Sequence, residues 1–115
     1  MAQIKKKVKE ALTEYILKIQ KEIPVKYAVL YGSQAKGKAR SDSDIDIAIF
    51  SEKFKNKSYY AAQVMLQKFL WDIKADIQPL GYPLEEYSSR DKLSFVGGII
   101  KKEGILICRD NRILI

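Results

Sequence analysis

Residues 44–50, which read DIDIAIF, constrain the fold of this chain more tightly than any other segment. Isoleucine recurs at every second position up to Ile49, which is the period of a β-strand and not of a helix. The three isoleucines therefore share one face, whereas Asp44, Asp46 and Ala48 share the other. The pattern predicts a strand that buries its isoleucine face and directs two carboxylates to the same side.

Helical and extended patterns alternate along the rest of the chain. Apolar residues at helical spacing predict an amphipathic helix over 4–21, which Pro24 would end. Later elements are predicted as a strand over 25–31, a loop or short helix over 33–43, a helix over 58–71, a strand over 73–79 stopped by Pro79 and Gly81, helices over 84–89 and 91–103, and a strand over 105–108. This order predicts an α/β (α+β) fold, a small mixed β-sheet covered by helices, in a single domain over residues 1–115.

The composition excludes several kinds of catalytic site. The chain has no histidine, which rules out Ser-His and Cys-His nucleophile pairs and histidine-bound zinc. Its one cysteine, Cys108, allows no internal disulfide and is expected to be a buried strand residue in a reducing compartment. No apolar run approaches the roughly 18 residues of a transmembrane helix. We therefore expect a cytoplasmic protein.

Basic residues are concentrated in the first part of the chain. Residues 1–40 contain ten Lys or Arg against three Glu, a net charge of +7, whereas residues 41–115 contain eleven residues of each sign. Such an excess suits phosphate groups or an acidic protein partner. The simplest interpretation of the lysines in the first helix is a solvated face. Because no base-stacking aromatic motif accompanies them, we expect no direct nucleic-acid binding, and we expect no membrane contact.

The segment between the first two predicted strands supports three interpretations. In the first, Gly32, Gly37 and Lys38 belong to a P-loop. Ala39 then stands where a P-loop carries the hydroxyl that binds Mg²⁺. The remaining chain is also too short for the further parallel strands that such a domain needs, so this interpretation is disfavoured.

The other two interpretations concern the paired carboxylates. Asp44 and Asp46 could simply be solvent-facing residues of an edge strand, with the glycines as turn formers. Like charges on one strand face repel each other, however, and this favours a cation between them. In the third interpretation the pair binds Mg²⁺, while Gly32 and Ser33 offer backbone N–H groups and a hydroxyl to a triphosphate.

A third acid on a neighbouring strand would complete such a site. Asp76 is the best candidate, because Ala75 and Ile77 point the opposite way in the predicted strand. Asp42 and Asp72 are weaker candidates, since they lie nearer to loop and helix ends.

Gly32-Ser33, ten further residues and then Asp44-x-Asp46 resemble the signature of the DNA polymerase β nucleotidyltransferase superfamily. The likeness extends from about residue 25 to residue 108, and the small size resembles the minimal nucleotidyltransferase (MNT) branch. The resemblance implies that the two paired aspartates and Asp76 bind two Mg²⁺ ions, and that Asp76 also helps to deprotonate the attacking hydroxyl. It implies that Gly32 and Ser33 hold the β- and γ-phosphates of ATP.

The basic residues near this signature depart from the family pattern at one position. Gln34 stands where relatives often carry arginine, whereas Lys36 stands where a basic residue often follows the Gly-Ser turn. Lys38 and Arg40 either compensate for Gln34 or are ordinary surface charges.

The resemblance also implies a protein partner. Larger members of the superfamily carry an extra domain that binds the acceptor, so we expect the acceptor to come from another chain. Proteins of the MNT branch are often antitoxins paired with HEPN-domain ribonucleases. This implies transfer of AMP from ATP to a hydroxyl of a HEPN-domain partner, expected to be that of a tyrosine.

An alternative of another class is a non-catalytic antitoxin that neutralises its partner by binding. The predicted helix over 58–71 carries Tyr59, Tyr60 and Trp71, which would form either the interface for such a partner or part of the core.

Overall fold

The chain forms a five-stranded mixed sheet with helices on both faces, as seen in a computed structural model that describes residues 4–37, 44–88 and 94–115. The strands are β1 (Tyr27–Tyr31), β2 (Ile45–Phe50), β3 (Ile77–Tyr82), β4 (Ile105–Arg109) and β5 (Arg112–Ile113). The helices are α1 (Lys6–Gln20), α2 (Ser33–Lys36), α3 (Tyr59–Gln67), α4 (Leu84–Tyr87) and α5 (Lys101–Glu103), with a 3₁₀ turn at Glu52–Phe54 and a π-helix at Val96–Ile100 that continues into α5.

The strand order places β2 inside the sheet. The order is β3-β2-β1-β4-β5, with β2 and β3 parallel and the other pairs antiparallel. Tyr31 at the end of β1 lies opposite Asp46, and Ile45 lies beside Ile77. The interpretation of Asp44 and Asp46 as edge-strand residues is therefore wrong, because β2 has a neighbour on each side.

The isoleucine face of β2 packs into the larger of two cores. Ile45, Ile47 and Ile49 are buried together with apolar residues of α1 and α3. The Tyr15 hydroxyl of α1 donates a hydrogen bond of 2.9 Å to the Leu66 carbonyl, so the two helices on this face are joined by a satisfied polar contact. The predicted first helix, the predicted alternation of β2 and the mixed α/β architecture are confirmed.

A smaller core covers the opposite face of the sheet. It contains Phe50 and Ala48 of β2 together with Val96 and Ile100 of the π-helix. Cys108 on β4 is fully buried, as predicted from its strand position.

The third strand is displaced from its predicted position. It was expected over 73–79 and instead occupies Ile77–Tyr82, so that Pro79 and Gly81 lie inside it. An edge strand tolerates proline when the missing N–H would point away from the sheet. The outward-facing groups of this strand are paired with a side chain: Gln63 Nε2 donates to the Pro79 carbonyl at 2.7 Å, and the Gly81 N–H donates to Gln63 Oε1 at 3.2 Å.

Gly81 also allows α3 to approach the strand closely. A Cβ added there would lie 3.0 Å from the Ala62 Cβ and 3.1 Å from Leu66. The glycine that suggests a strand end from sequence is instead a packing contact.

Replacement of Gln63 by Ala should destabilise the chain by about 1–2 kcal/mol, because it leaves a carbonyl and an N–H of β3 without their partner. Urea unfolding followed by circular dichroism measures the loss. The matched control is Gln67→Ala on the same helix, where the side chain is exposed. Equal stability of the two variants would show that the edge contact contributes nothing.

Three other elements differ from the sequence prediction. Helix α3 ends at Gln67, and not near residue 71. The last predicted helix is a π-helix at Val96–Ile100 followed by one turn of α-helix, and its first part lies outside the described residues. Strand β5 was not predicted; it follows a turn in which Asp110 and Asn111 have φ of 50° and 66°.

The helices in the described ranges are all too short or too polar to cross a membrane.

Candidate active site

The structure brings Asp44, Asp46 and Asp76 to one end of the sheet. Asp44 and Asp46 lie at the start of β2, and Asp76 lies just before the parallel strand β3. The backbone joins the two strand starts, because the Ile45 N–H donates to the Asp76 carbonyl at 2.9 Å. The carboxyl groups of Asp44 and Asp76 lie within hydrogen-bonding reach of each other, so a proton on either one could be shared between them. Asp76 therefore reaches the paired aspartates from a position before the strand, and not from within it as predicted.

The pKa values of Asp44 and Asp46 are both raised above the ordinary range of an aspartate. The hydrogen bond to Asp76, followed by the charge of Asp76, raises the pKa of Asp44 above its ordinary range. Burial is the largest cause of the raised pKa of Asp46, and the charges of Asp44 and Asp76 add to it. This end of the sheet is thus a region of crowded negative charge, where a cation would relieve the repulsion.

The donor set suits a hard divalent cation, although the side chains do not already surround one. Carboxylate oxygens are the ligands that Mg²⁺ prefers. Across residues 4–37, 44–88 and 94–115, no three acidic or other metal-binding side chains converge in a ready-made cluster. Asp44 and Asp76 touch, whereas Asp46 acts on both through its charge. Binding of an ion would therefore require the Asp44 and Asp46 carboxylates to rotate towards a common point with Asp76.

Gly32 passes directly against one of these carboxylates. Its backbone has φ 76° and ψ −156°, a region that is essentially restricted to glycine. A Cβ added to Gly32 would overlap Asp46 Oδ2. The Gly32 carbonyl accepts hydrogen bonds from the Ala35 and Lys36 N–H groups at 3.1 and 3.2 Å, which forms the single turn of α2. The Gly-Ser turn is thereby held beside the carboxylates, with Ser33 exposed.

Two neighbours of the carboxylates were not found from the sequence. Gln78 Nε2 donates to Asp76 Oδ1 at 2.7 Å and so fixes the orientation of that carboxyl group. Tyr31 is buried opposite Asp46, and burial together with the Asp46 charge raises the pKa of its hydroxyl. Tyr31 could not be identified from the sequence, because only the register of β1 and β2 shows which residue of β1 lies opposite Asp46.

The other polar residues singled out from the sequence are not among the three carboxylates. Asp72 forms an ion pair with Lys18 and is not among the three clustered carboxylates. Lys36 pairs with Glu103 at 3.3 Å, and Gln34 is buried. The three remaining candidates fall outside the described residues: Lys38, Arg40 and Asp42.

In the absence of metal, the contribution of Asp44 and Asp46 to stability should fall as the pH rises above the ordinary aspartate value of 3.8. Asp44 and Asp46 have raised pKa values in the folded chain, so their favourable contribution exists below pH 3.8 and is lost as the pH rises through those raised values. Asp72 and Asp110 act in the opposite sense, because hydrogen bonds from lysines lower their pKa values. Their contribution is lost as the pH falls below the ordinary value.

Comparison of the wild type with Asp44→Asn/Asp46→Asn isolates the pH dependence that comes from these two carboxylates. Melting temperatures in EDTA between about pH 4 and about pH 8 should shift in favour of the variant as the pH rises. A difference that stays constant with pH would show that the two carboxylates do not repel each other and Asp76 in the folded chain.

A small mixed sheet with three carboxylates and a Gly-Ser turn at one end defines the chain as a nucleotidyltransferase-type domain. The family model "Polymerase beta, Nucleotidyltransferase" matches residues 10–112, and the chain belongs to this family. The structure has the polymerase β-like nucleotidyltransferase fold.

Two solved structures share this fold. The first is a candidate nucleotidyltransferase from Sulfolobus solfataricus, with a TM-score of 0.62 and 17% identity over 100% of this chain and 97% of that one. The second is a chain in a crystal structure of a toxin–antitoxin with AMP-PNP, with a TM-score of 0.56 and 20% identity over 88% of this chain and 73% of that one. No curated protein matches the sequence.

Proposed function

We propose that the chain transfers AMP from ATP to a tyrosine hydroxyl of a partner protein, and that it acts as the antitoxin of a HEPN-domain toxin. The observation that carries this proposal is the meeting of Asp44, Asp46 and Asp76 beside the Gly32-Ser33 turn. Membership of the nucleotidyltransferase family and the fold shared with a toxin–antitoxin chain support the type of reaction and the kind of partner.

The three carboxylates would hold two Mg²⁺ ions. When bound, Mg²⁺ supplies charge neutralisation for the triphosphate and for the departing pyrophosphate. Gly32 and Ser33 would hold the β- and γ-phosphates, because the glycine lets the backbone pass beside the carboxylates where no side chain fits. Gln78 would keep Asp76 oriented towards the acceptor through its hydrogen bond to Oδ1.

The proposed step forms one bond and breaks one. The acceptor oxygen bonds to the α-phosphorus of ATP while the bond from that phosphorus to the bridging oxygen of pyrophosphate breaks. Asp76 receives the hydroxyl proton, and pyrophosphate leaves with the electron pair of the broken bond. Proximity and charge stabilisation supply most of the catalysis in such a transfer.

A second candidate function is neutralisation of the partner by binding without catalysis. It is favoured by the exposed face of α3 and the turn after it. Tyr60 is 77% exposed and Trp71 is 86% exposed, and Tyr59 and Val64 are also exposed. Of the two alternatives left open by the sequence, these residues are surface, whereas Ala62, Leu66 and Phe69 form the core. Large exposed aromatic side chains are frequent energetic centres of protein interfaces.

The test is the intact mass of the protein that co-purifies with the tagged chain from its native host. The complex is incubated with ATP and Mg²⁺, with ATP and EDTA, or with AMP-PNP, whose bond between the α- and β-phosphates can still be broken. Gain of one or more AMP groups by the partner, dependent on Mg²⁺, is the expected result. Peptide mapping then identifies the modified tyrosine.

The same measurement separates the two candidates. A stable complex whose partner never gains AMP under any of these conditions would overturn the catalytic proposal and favour neutralisation by binding. A partner that is modified on a residue other than tyrosine would retain the transferase and correct the acceptor. A partner without a HEPN domain would correct the proposed toxin class.

A further inference from the structure

A groove of about 1010 Å³ opens beside Asp76, between α1 and the segment that leads into β3, with Gln34 of α2 and Ile45 of β2 also in its lining. Asp44, Asp46 and Asp76 together are called the carboxylate cluster. Val8 and Ala11 of α1 and Ile73 of the segment give it an apolar floor. Asp76 belongs both to this groove and to the carboxylate cluster. The volume is large enough for several residues of an extended peptide, and the groove leads directly to the proposed proton acceptor.

The sign of the groove's charge is opposite to that of the whole chain. Among the residues that the structure describes, four carboxylates line it against two lysines, although the chain carries a net charge of +7; one of the four, Asp72, is paired with Lys18. The groove's charged residues are Glu10, Glu14, Asp72, Asp76, Lys7 and Lys74. A cleft lined by an excess of one sign concentrates ligands of the other sign.

Glu10 and Glu14 contribute negative charge to the groove from a helix that is otherwise rich in lysine. They are the two acidic residues of α1, they are one helical turn apart, and both line the groove. Like charges at this spacing destabilise a helix slightly. No ion pair found within the described part of the chain involves either of them. Helix α1 therefore presents its acids to the groove and most of its lysines elsewhere.

The negative charge of the groove favours one of the two substrates over the other. The triphosphate of ATP carries several negative charges and would be repelled by the acidic residues of the groove. The Gly32-Ser33 turn, which would hold those phosphates, is not part of the groove's lining, although the next residue, Gln34, is. We propose that the groove binds the acceptor, and that the acceptor is a basic peptide segment whose tyrosine is flanked by lysine or arginine. The inference rests on the proposed function for the reaction itself, but the binding preference can be measured without it.

The placement fits the chemistry of the transfer. An apolar floor accommodates the tyrosine ring and the methylene groups of neighbouring basic side chains. Glu10 and Glu14 would pair with the cationic ends of those side chains. The tyrosine hydroxyl would then meet Asp76, pass its proton to that carboxylate and bond to the α-phosphorus as pyrophosphate leaves.

Two fluorescein-labelled twelve-residue peptides test the inference. Each contains one central tyrosine in the same apolar context, flanked in one peptide by four lysines and in the other by four glutamates. Fluorescence anisotropy measures their binding to the full chain without ATP, and radiolabel from α-labelled ATP measures transfer with Mg²⁺. We expect the lysine peptide to bind at least about tenfold more tightly than the glutamate peptide, which corresponds to about 1.4 kcal/mol.

Two variants and a matched control locate the binding site. Glu10→Lys/Glu14→Lys should reverse the preference, and the milder Glu10→Gln/Glu14→Gln should abolish it. Glu52→Lys/Glu86→Lys makes the same change in net charge beyond the opposite ends of β2 and β3 and should keep the wild-type preference. Circular dichroism confirms that each variant is folded.

The outcomes distinguish this inference from the proposed function. Selective binding of the lysine peptide that depends on Glu10 and Glu14 supports the groove, even if no peptide or partner ever gains AMP. Equal or undetectable binding of the two peptides overturns the inference, even if the partner is modified. An effect of the groove variants on the KM for ATP, with none on the peptide, also overturns it and assigns the groove to the nucleotide.

Discussion

Replacing Asp44 and Asp46 by asparagine should lower the rate of AMP transfer by about a thousandfold or more, because it removes two of the three carboxylates that would hold the metal ions. The amide side chains have nearly the same size, so the fold should persist. The isoleucine face of the strand is not touched, and the repulsion with Asp76 is relieved. Transfer to the co-purified partner, measured by intact mass over a time course, gives the rate.

Thermal stability gives a second readout that is independent of turnover. Without metal, the double variant should melt slightly above the wild type, because it relieves the repulsion between carboxylates in a largely exposed site, where solvent screens much of the effect. With Mg²⁺ and ATP the order should reverse, since only the wild type gains stability from binding.

Asp110→Asn is the matched control for this substitution. Asp110 follows β4 next to Arg109, which lies opposite Tyr27, whereas Asp46 lies opposite Tyr31 at the other end of β1. The control should keep the wild-type rate. A double variant that retains more than about a tenth of the wild-type rate would contradict the assignment of Asp44 and Asp46 to the metal site.

The amount of partner that co-purifies with the double variant shows whether binding is affected separately from catalysis. The exposed surface with Tyr60 and Trp71 is not altered by the two substitutions, so the variant should still capture its partner. A variant that loses both transfer and capture would show that the carboxylates are part of the docking surface.

The sequence predicts the paired aspartates of β2 and the isoleucines behind them, but it does not predict where Asp76 lies relative to its strand. Alternation over residues 44–50 predicts the faces of β2 because the period of a strand depends only on local geometry. The position of β3 depends instead on its parallel pairing with β2, which begins beside Ile77. From the sequence alone, Pro79 and Gly81 indicate the end of a strand. The structure shows that β3 tolerates them because it lies at the edge of the sheet and is hydrogen-bonded to Gln63.

The groove could not be predicted for a related reason. Its lining joins α1, near the start of the chain, to the segment before β3. These meet through the packing of the larger core and through the ion pair between Lys18 and Asp72. From the sequence, Glu10 and Glu14 are two acids in a lysine-rich helix. Their position on the lining of the groove that also contains Asp76 is a property of the tertiary structure.

The role of Gly32 in the Gly-Ser turn could also be predicted only in part. The sequence suggests that Gly32 ends a strand and offers its backbone to a phosphate. The structure adds a steric requirement, because no Cβ fits between this backbone and Asp46 Oδ2. A contact of this kind between adjacent strands follows from their register, which places Tyr31 opposite Asp46.

Gly32→Ala should therefore cost about 2–3 kcal/mol of folding stability and abolish AMP transfer. The alanine must either change the backbone conformation of the turn or keep one that is essentially restricted to glycine and displace the Asp46 carboxylate. Each response moves the turn relative to the carboxylates, and shifts of about 1 Å near a reacting centre reduce rates by about a hundredfold. Urea unfolding and transfer to the co-purified partner are the two measurements.

Gly37→Ala is the control that separates backbone strain from the contact with Asp46. Gly37 ends α2 with φ 71° and ψ 18°, a left-handed conformation that alanine adopts at a cost of about 1–2 kcal/mol. Its variant should lose stability and keep most of its transfer activity, because strain at the far end of α2 leaves the Gly32–Asp46 contact in place. Similar loss of activity in both variants would mean that the whole turn acts as one unit. Full activity of Gly32→Ala would remove the steric argument for this glycine, and the place of the triphosphate would then have to be sought on another side of the carboxylates.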